Sequence, residues 1–156
     1  MSITIDRVEG PTPGLAAFLL AHHADMAGTA PPESQHALSL DRLMAPGVRL
    51  FAAHDRGELV ATGALAPIDD GHEELKSMRT DPARRGQGLG RAMLDALLDD
   101  ARRRGIRRVS LETGSAEFFA PAHALYTRAG FAPCEPFADY VDDPHSTFLT
   151  VDLDAG

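Results

Sequence analysis

The sequence predicts a mixed α/β domain, and three observations carry that reading. Residues 88–104 place Leu89, Met93, Leu94, Leu97, Leu98 and Ala101 on one apolar stripe at helical spacing. Two strand-like runs, Val48 to His54 and Glu58 to Ala66, are joined by Asp55-Arg56-Gly57, a hairpin signal. The whole chain reads in the order β-α-α-β-β-β-α-β-α-β-β. Hairpins and crossovers therefore occur together, which fits neither a purely doubly wound sheet nor a barrel.

Each element has its own local cause. Ile3, Ile5 and Val8 alternate in a short opening strand. Residues 14–26 carry Leu15, Phe18, Leu19 and His22 at helical spacing, and Gly28 to Glu33 breaks that helix with two prolines. Ser34 can cap a second short helix holding Leu38, Leu40, Leu43 and Met44, which Pro46-Gly47 ends. After the hairpin, Pro67 to Gly71 is a polar turn. Glu73 to Thr80 is extended, and Asp81-Pro82 stops it. Gly105 closes the long helix. Arg107 to Thr113 reads as a buried strand, and Pro121 to Ala129 as a helix ended by Gly130. Phe131 to Phe137 and Ser146 to Leu153 close the chain as two strands, the first made irregular by Pro133 and Pro136.

Composition excludes several classes. The chain of 156 residues is read as a single domain, 1–156, with 44% apolar and 24% charged residues. It shows no apolar run of membrane-spanning length and no basic, apolar leader, so a soluble cytoplasmic protein is expected. The lone Cys134 excludes an internal disulfide, and it is read as core or structural. His22-His23, His123 and His145 have no ligand spacing, so no metal is expected. The net charge of −8 argues against general nucleic-acid binding. Yet nine of the 15 basic residues lie between Arg79 and Arg108 with only four acids, a local charge of +5 in an acidic chain. Arg102, Arg103, Arg104, Arg107 and Arg108 read as a solvated helix face. Arg84, Arg85 and Arg91 are interleaved with glycines and read as an anion site.

The chemistry concentrates in Glu74-Leu-Lys-Ser-Met-Arg-Thr-Asp-Pro-Ala-Arg-Arg-Gly-Gln-Gly-Leu-Gly-Arg91. A strand runs into a loop with three alternating glycines, which opens the longest helix. The first-turn N–H groups of a helix lack internal partners and sit at the positive end of its dipole. Glycines admit an anion close to the backbone, so the loop reads as a phosphate or pyrophosphate cradle. No lysine or hydroxyl residue follows the last glycine, so the loop is not a Walker A motif. The third glycine of a dinucleotide fingerprint would fall on Arg91, so that motif fails too.

What remains, Arg85-x-x-Gly88-x-Gly90, resembles the coenzyme A pyrophosphate loop of the GNAT family of N-acetyltransferases. Ala124-Leu-Tyr-Thr-Arg-Ala-Gly-Phe131 resembles a later helix-to-strand junction of that family. Pro31-Pro-Glu-Ser-x-His36, Leu111-Glu-Thr-Gly-Ser115, Phe118-Phe-Ala-Pro-Ala122 and Pro136-Phe-Ala-Asp-Tyr140 extend the likeness, over nearly the whole chain, to a small bacterial subgroup. The resemblance implies a strongly twisted sheet of six or seven strands with four helices. It also implies two central parallel strands, 73–80 and 107–113, that splay around the cofactor.

The resemblance further implies acetyl-CoA as donor and a primary amine as acceptor, a small molecule or a peptide, attacked directly in a ternary complex. Tyr126 is then the acid that protonates the thiolate. Glu74 is the first choice of base, with His72 and Glu73 beside it. Strand alternation puts Glu73 and Glu74 on opposite faces, so only one of the two can serve directly. Met78, Arg79 and Thr80 would meet the pantetheine and thioester. Arg84, Arg85, Gly86, Gln87, Gly88, Leu89, Gly90 and Arg91 would hold the pyrophosphate, with Thr113 at the cofactor's side. Glu33, Ser34 and His36 would overhang the acceptor, and Phe118, Phe119 and Tyr140 would form its aromatic wall. Many relatives are dimers, and the sequence does not decide this. A non-catalytic acyl-CoA sensor on the same fold is the rival reading.

Overall fold

A computed structural model describes residues 2–26 and 40–153. Seven strands form one sheet in the order β1-β2-β3-β4-β5-β7-β6. They are β1 (Ile3–Arg7), β2 (Arg49–Asp55), β3 (Glu58–Asp69), β4 (His72–Thr80), β5 (Arg108–Gly114), β6 (Ala132–Pro133) and β7 (Ser146–Asp152). Among the described strands only the β4–β5 pair is parallel; the other pairings are antiparallel. The helices are α1 (Pro13–Met26), α2 (Leu40–Leu43), α3 (Leu89–Arg103) and α4 (Ala120–Arg128). Of the four helices expected, α2 is therefore a single turn, and among the described residues three are longer.

Two apolar clusters sandwich the sheet. On one face the α3 stripe packs with Leu75 of β4, Val109 and Leu111 of β5, and Tyr126 of α4. On the other face Leu15 and Leu19 of α1 and Leu43 of α2 pack on Leu50 and Ala64. Thr12 caps α1 by accepting the Leu15 N–H at 3.2 Å.

Three departures from the expected elements have local causes. The strand expected over 131–137 is only two residues long, because Pro133 and Pro136 offer no N–H to a ladder. The third strand runs on to Asp69, paired by His72 at the start of β4. Most consequential is a bulge at Ser77, whose φ is 56°. Thr62, fully buried, donates its hydroxyl to the Ser77 carbonyl at 2.9 Å and holds it in place. The extra residue inverts the alternation that follows. Met78 thus turns toward α3, and Arg79 turns to the α1 face, over the Phe18 ring.

β4 and β5 pair over four positions only, His72–Leu75 against Arg108–Leu111. Beyond them β4 leaves its parallel neighbour, and its freed end meets the loop that opens α3.

Candidate active site

A cavity of 410 Å³ lies against that freed end of β4. Met78, Arg79 and Thr80 form one wall, and Arg84, Arg85, Gly86, Gly88, Leu89 and Gly90 form the floor. Phe118, Phe119, Pro121, Ala122, Leu125 and Tyr126 close the far side. The strand, the glycine loop and the Tyr126 helix, picked out separately in the sequence, thus converge on one hollow.

The floor is built for an anion. Gly88 starts α3 with φ 80°, and no side chain caps the helix. Gly86 also has φ 80°, and a Cβ on either glycine would meet nothing within 4 Å. The first-turn N–H groups of a 15-residue helix therefore open onto clear space. Gly90 is closer to its surroundings: a Cβ there would lie 3.3 Å from Leu125 Cδ2.

The arginines divide differently from the sequence expectation. The Arg84 guanidinium donates to Asp55 Oδ2 at 2.7 Å and lies 3.5 Å from Glu58, so it staples the loop to the β2–β3 hairpin. Asp55 is held below its usual carboxylate range by that bond and by the Ser2 N–H. Arg91 pairs with Asp95 one turn along α3 and does not line the cavity. Arg85 lines the cavity and, among the described residues, forms no ion pair. Gln87 and Thr113 are also outside the lining; Thr113 sits in the β5–β7 ladder opposite Thr147.

Tyr126 is 6% exposed, and its ring lies 5.6 Å from that of Phe131. Burial raises its phenol well above the ordinary tyrosine value, so it stays protonated. Among the described residues its hydroxyl has no hydrogen-bond partner. The same burial that keeps the O–H protonated makes it a weaker acid, so at this cavity wall it stands as a neutral hydrogen-bond donor.

The three candidate bases separate cleanly. Glu73 points to the α3 face, where Arg104 grips both its oxygens at 2.7 and 3.0 Å. It is spoken for; Arg104 is an exposed residue at the end of α3 whose guanidinium reaches back to this buried carboxylate. His72 donates to or accepts from Ser110 Oγ at 2.7 Å, which continues to Thr150 Oγ1 at 2.9 Å. Burial, and next the Arg108 charge, lower the His72 value, so it is neutral. Glu74, buried, lies on the same side as His72, and its Oε2 accepts from Tyr140 Oη at 2.5 Å and Lys76 Nζ at 3.0 Å. Glu74 does not line the cavity described above.

The expected aromatic wall is two structures. Phe118 and Phe119 form an edge-to-face pair beside the glycine loop, and Phe119 sits where any Cβ on Gly114 would be. Tyr140 belongs instead with Phe137 and Phe148 above Glu74. Glu33, Ser34 and His36 lie outside the described residues. Sequence reasoning passed over Lys76, although its place two residues after Glu74 on a strand put it on the same face. Among the described residues no cluster of His, Cys, Asp and Glu could hold a metal ion.

Comparison with known proteins agrees with this geometry. Residues 16–131 match the model of the acetyltransferase (GNAT) family. The uncharacterized N-acetyltransferase YsnE of Bacillus subtilis is 41% identical over 98% of this chain and 100% of its own. A solved structure from Klebsiella pneumoniae superposes with a TM-score of 0.78, at 31% identity and 97% coverage of both chains. A GNAT acetyltransferase from Elizabethkingia anophelis, solved with acetyl-CoA bound, superposes at a TM-score of 0.72 with 18% identity, over 97% of this chain and 98% of that one. The mixed sheet, the glycine-cradled helix start and the match across most of the chain lead to one assignment: this protein belongs to the acetyltransferase (GNAT) family and is an acetyl-CoA-dependent N-acetyltransferase.

Proposed function

We propose that the enzyme transfers the acetyl group to a primary amine by direct attack in a ternary complex, with Tyr126 as the acid and Glu74 as the base. The observation that carries this reading is the buried, protonated Tyr126 on the wall of a cavity whose floor is an uncapped helix start. The fit to coenzyme A is specific. The α3 N–H groups and Arg85 answer a pyrophosphate, and the apolar run from Phe118 to Leu125 answers the less polar remainder. When bound, acetyl-CoA supplies an activated thioester.

The residues then divide the work. Backbone N–H groups along Met78 to Thr80 polarise the thioester oxygen, a role that needs no special side chain. A free alkyl ammonium has a pKa of about 10.4, so the amine must lose a proton before it attacks. Glu74 takes that proton on the α1 face, directly or through one water. Tyr126, from the α3 face, delivers its proton to the leaving sulfur. The new N–C bond forms as the C–S bond breaks, and the Tyr126 phenolate recovers its proton from solvent.

The acceptor is a small molecule or a peptide amine. One domain, residues 1–156, carries the activity. No described helix is long and apolar enough to cross a membrane, and we place the enzyme in the cytoplasm.

The first test is thermal shift with acetyl-CoA, coenzyme A, ATP and NAD in parallel. Selective stabilisation by the two coenzyme A species is expected; a response to ATP or NAD alone overturns the cofactor reading. Screening amines for thiol release from acetyl-CoA follows. A protein that binds acetyl-CoA and acetylates none of the amines offered would instead match a non-catalytic acyl-CoA sensor.

A further inference from the structure

Three polar side chains, Glu74 buried and Lys76 and Tyr140 half-buried, close a ring on the α1 face of the sheet. Lys76 Nζ donates to Glu74 Oε2 at 3.0 Å and to Tyr140 Oη at 2.9 Å, and Tyr140 Oη donates to the same Glu74 Oε2 at 2.5 Å. The side chains of Lys76 and Glu74 are 10% and 11% exposed. Lys76 also lies 5.6 Å from the centre of the Tyr140 ring.

The ring is asymmetric in a way that matters. A carboxylate oxygen has two lone pairs, and both donors fall on Oε2. Its acceptor capacity is filled, while among the described residues Oε1 receives no hydrogen bond. Two donors on one oxygen also fix the plane of the carboxylate. Charge-assisted bonds of this kind are shorter and about twice as strong as neutral ones. Burial, and then the neighbouring Glu74 carboxylate, keep Tyr140 protonated, so it remains a donor.

Two neighbouring polar groups on this face are engaged elsewhere. His72, two residues earlier on β4, binds Ser110. Glu112 of β5 accepts from Ser146 of β7 at 2.6 Å. Neither bonds Glu74, so among the described residues its orientation rests on Lys76 and Tyr140.

We infer that Lys76 is a positioning residue of the transfer reaction: with Tyr140 it occupies Glu74 Oε2 and so presents Oε1 alone to the acceptor amine. The inference rests on the reading of Glu74 as base. It gives Lys76 a task beyond charge balance, because a lone counter-ion leaves either oxygen free to turn outward. It also makes Tyr140 part of the acceptor side through Glu74 rather than through its ring.

The test uses the full chain and the best amine from a panel of free amino acids, polyamines and peptide N-termini. Lys76→Met should lower kcat about tenfold or more, with KM for acetyl-CoA within about twofold, the signature of a group that acts in the transition state. Lys76→Arg, which keeps a cationic donor, should recover most of the loss. A crystal structure of Lys76→Met should show the Glu74 carboxylate rotated from its wild-type plane. Wild-type kcat in Lys76→Met, no recovery in Lys76→Arg, or an unmoved carboxylate overturns the inference. Should Lys76→Met fail to fold, Tyr140→Phe removes the other donor. It should show the same split of kcat from KM, and wild-type kcat there is equally fatal. Glu74→Gln separates the two claims. If it turns over normally, Glu74 is not the base, and the carboxylate plane in Lys76→Met alone decides whether Lys76 positions it.

Discussion

Glu74 and Tyr126 lie on opposite faces of the sheet. Tyr126 packs into the α3 cluster together with Leu75, and Glu74, the neighbour of Leu75 along β4, points the other way. Donor and acceptor can therefore enter from different sides and meet beyond the four paired positions of β4 and β5.

This separation makes the acid testable by itself. Tyr126→Phe should lower kcat by about 10²–10⁴-fold, the usual worth of a positioned proton donor, while coenzyme A affinity is unchanged. Steady-state kinetics beside calorimetric titration of coenzyme A checks both halves. Equal turnover in the variant removes Tyr126 from the chemistry.

A phosphate cradle at the start of α3 predicts a difference between two glycines of identical φ. Gly88 and Gly105 both have φ 80° with open space around them. Valine at either position incurs the same left-handed strain, roughly 1–2 kcal/mol. Gly88→Val should abolish coenzyme A binding, and Gly105→Val, at the far end of α3, should bind it normally. Similar binding in the two variants would falsify the cradle.

Among the loop cations, Arg85 should matter most. Losing a charge-assisted hydrogen bond costs about 1.5–3 kcal/mol, so Arg85→Ala should raise the coenzyme A Kd by about tenfold or more. Arg91→Ala should change it by less than about threefold, because Arg91 is half-exposed and already paired with Asp95. A reversed ranking in titration calorimetry would reassign the cation.

Arg104 should carry stability instead of binding. It grips Glu73, whose side chain is 7% exposed, so Arg104→Met leaves a buried carboxylate without its cation. The expected loss is about 3 kcal/mol in urea unfolding. Adding Glu73→Leu to that variant should restore part of it, since a well-packed apolar pair avoids the desolvation.

Asp100 supplies a pH signature. Burial pushes its carboxyl up, but the Arg49 and Arg104 guanidiniums bonded to it hold the value below the usual carboxylate range. A folded-state value below the unfolded one means a contribution fully present above pH of about 4 and lost as pH falls through the folded value. Asp100→Asn should therefore melt lower than wild type at pH 7, with the gap closing below pH of about 4. A gap that is constant with pH would show that the carboxylate charge plays no part.

The parts of the fold written in local pattern were legible in the sequence. The stripe from Leu89 to Ala101 is buried as its spacing requires, and Asp55-Arg56-Gly57 turns the hairpin. The parts set by distant partners were not. Nothing near Arg84 announces Asp55, 29 residues earlier, and nothing near Arg104 announces Glu73. The Ser77 bulge was equally hidden, because a serine at positive φ has no sequence mark and the Thr62 hydroxyl that holds it comes from another strand. Glu74 was singled out by its place in the motif, but its hydrogen bond to Tyr140, 66 residues away, had no sequence mark.

The Arg84–Asp55 staple has a consequence for how variation in this enzyme is interpreted. Asp55 does not itself line the cavity, yet through Arg84 it anchors the segment on which the donor's phosphates would rest. A saturation scan scored only by coenzyme A retention should therefore flag a hairpin tip as strongly as the glycine loop itself. A natural variant at Asp55 would be filed as a surface change while behaving as a cofactor-affinity mutant.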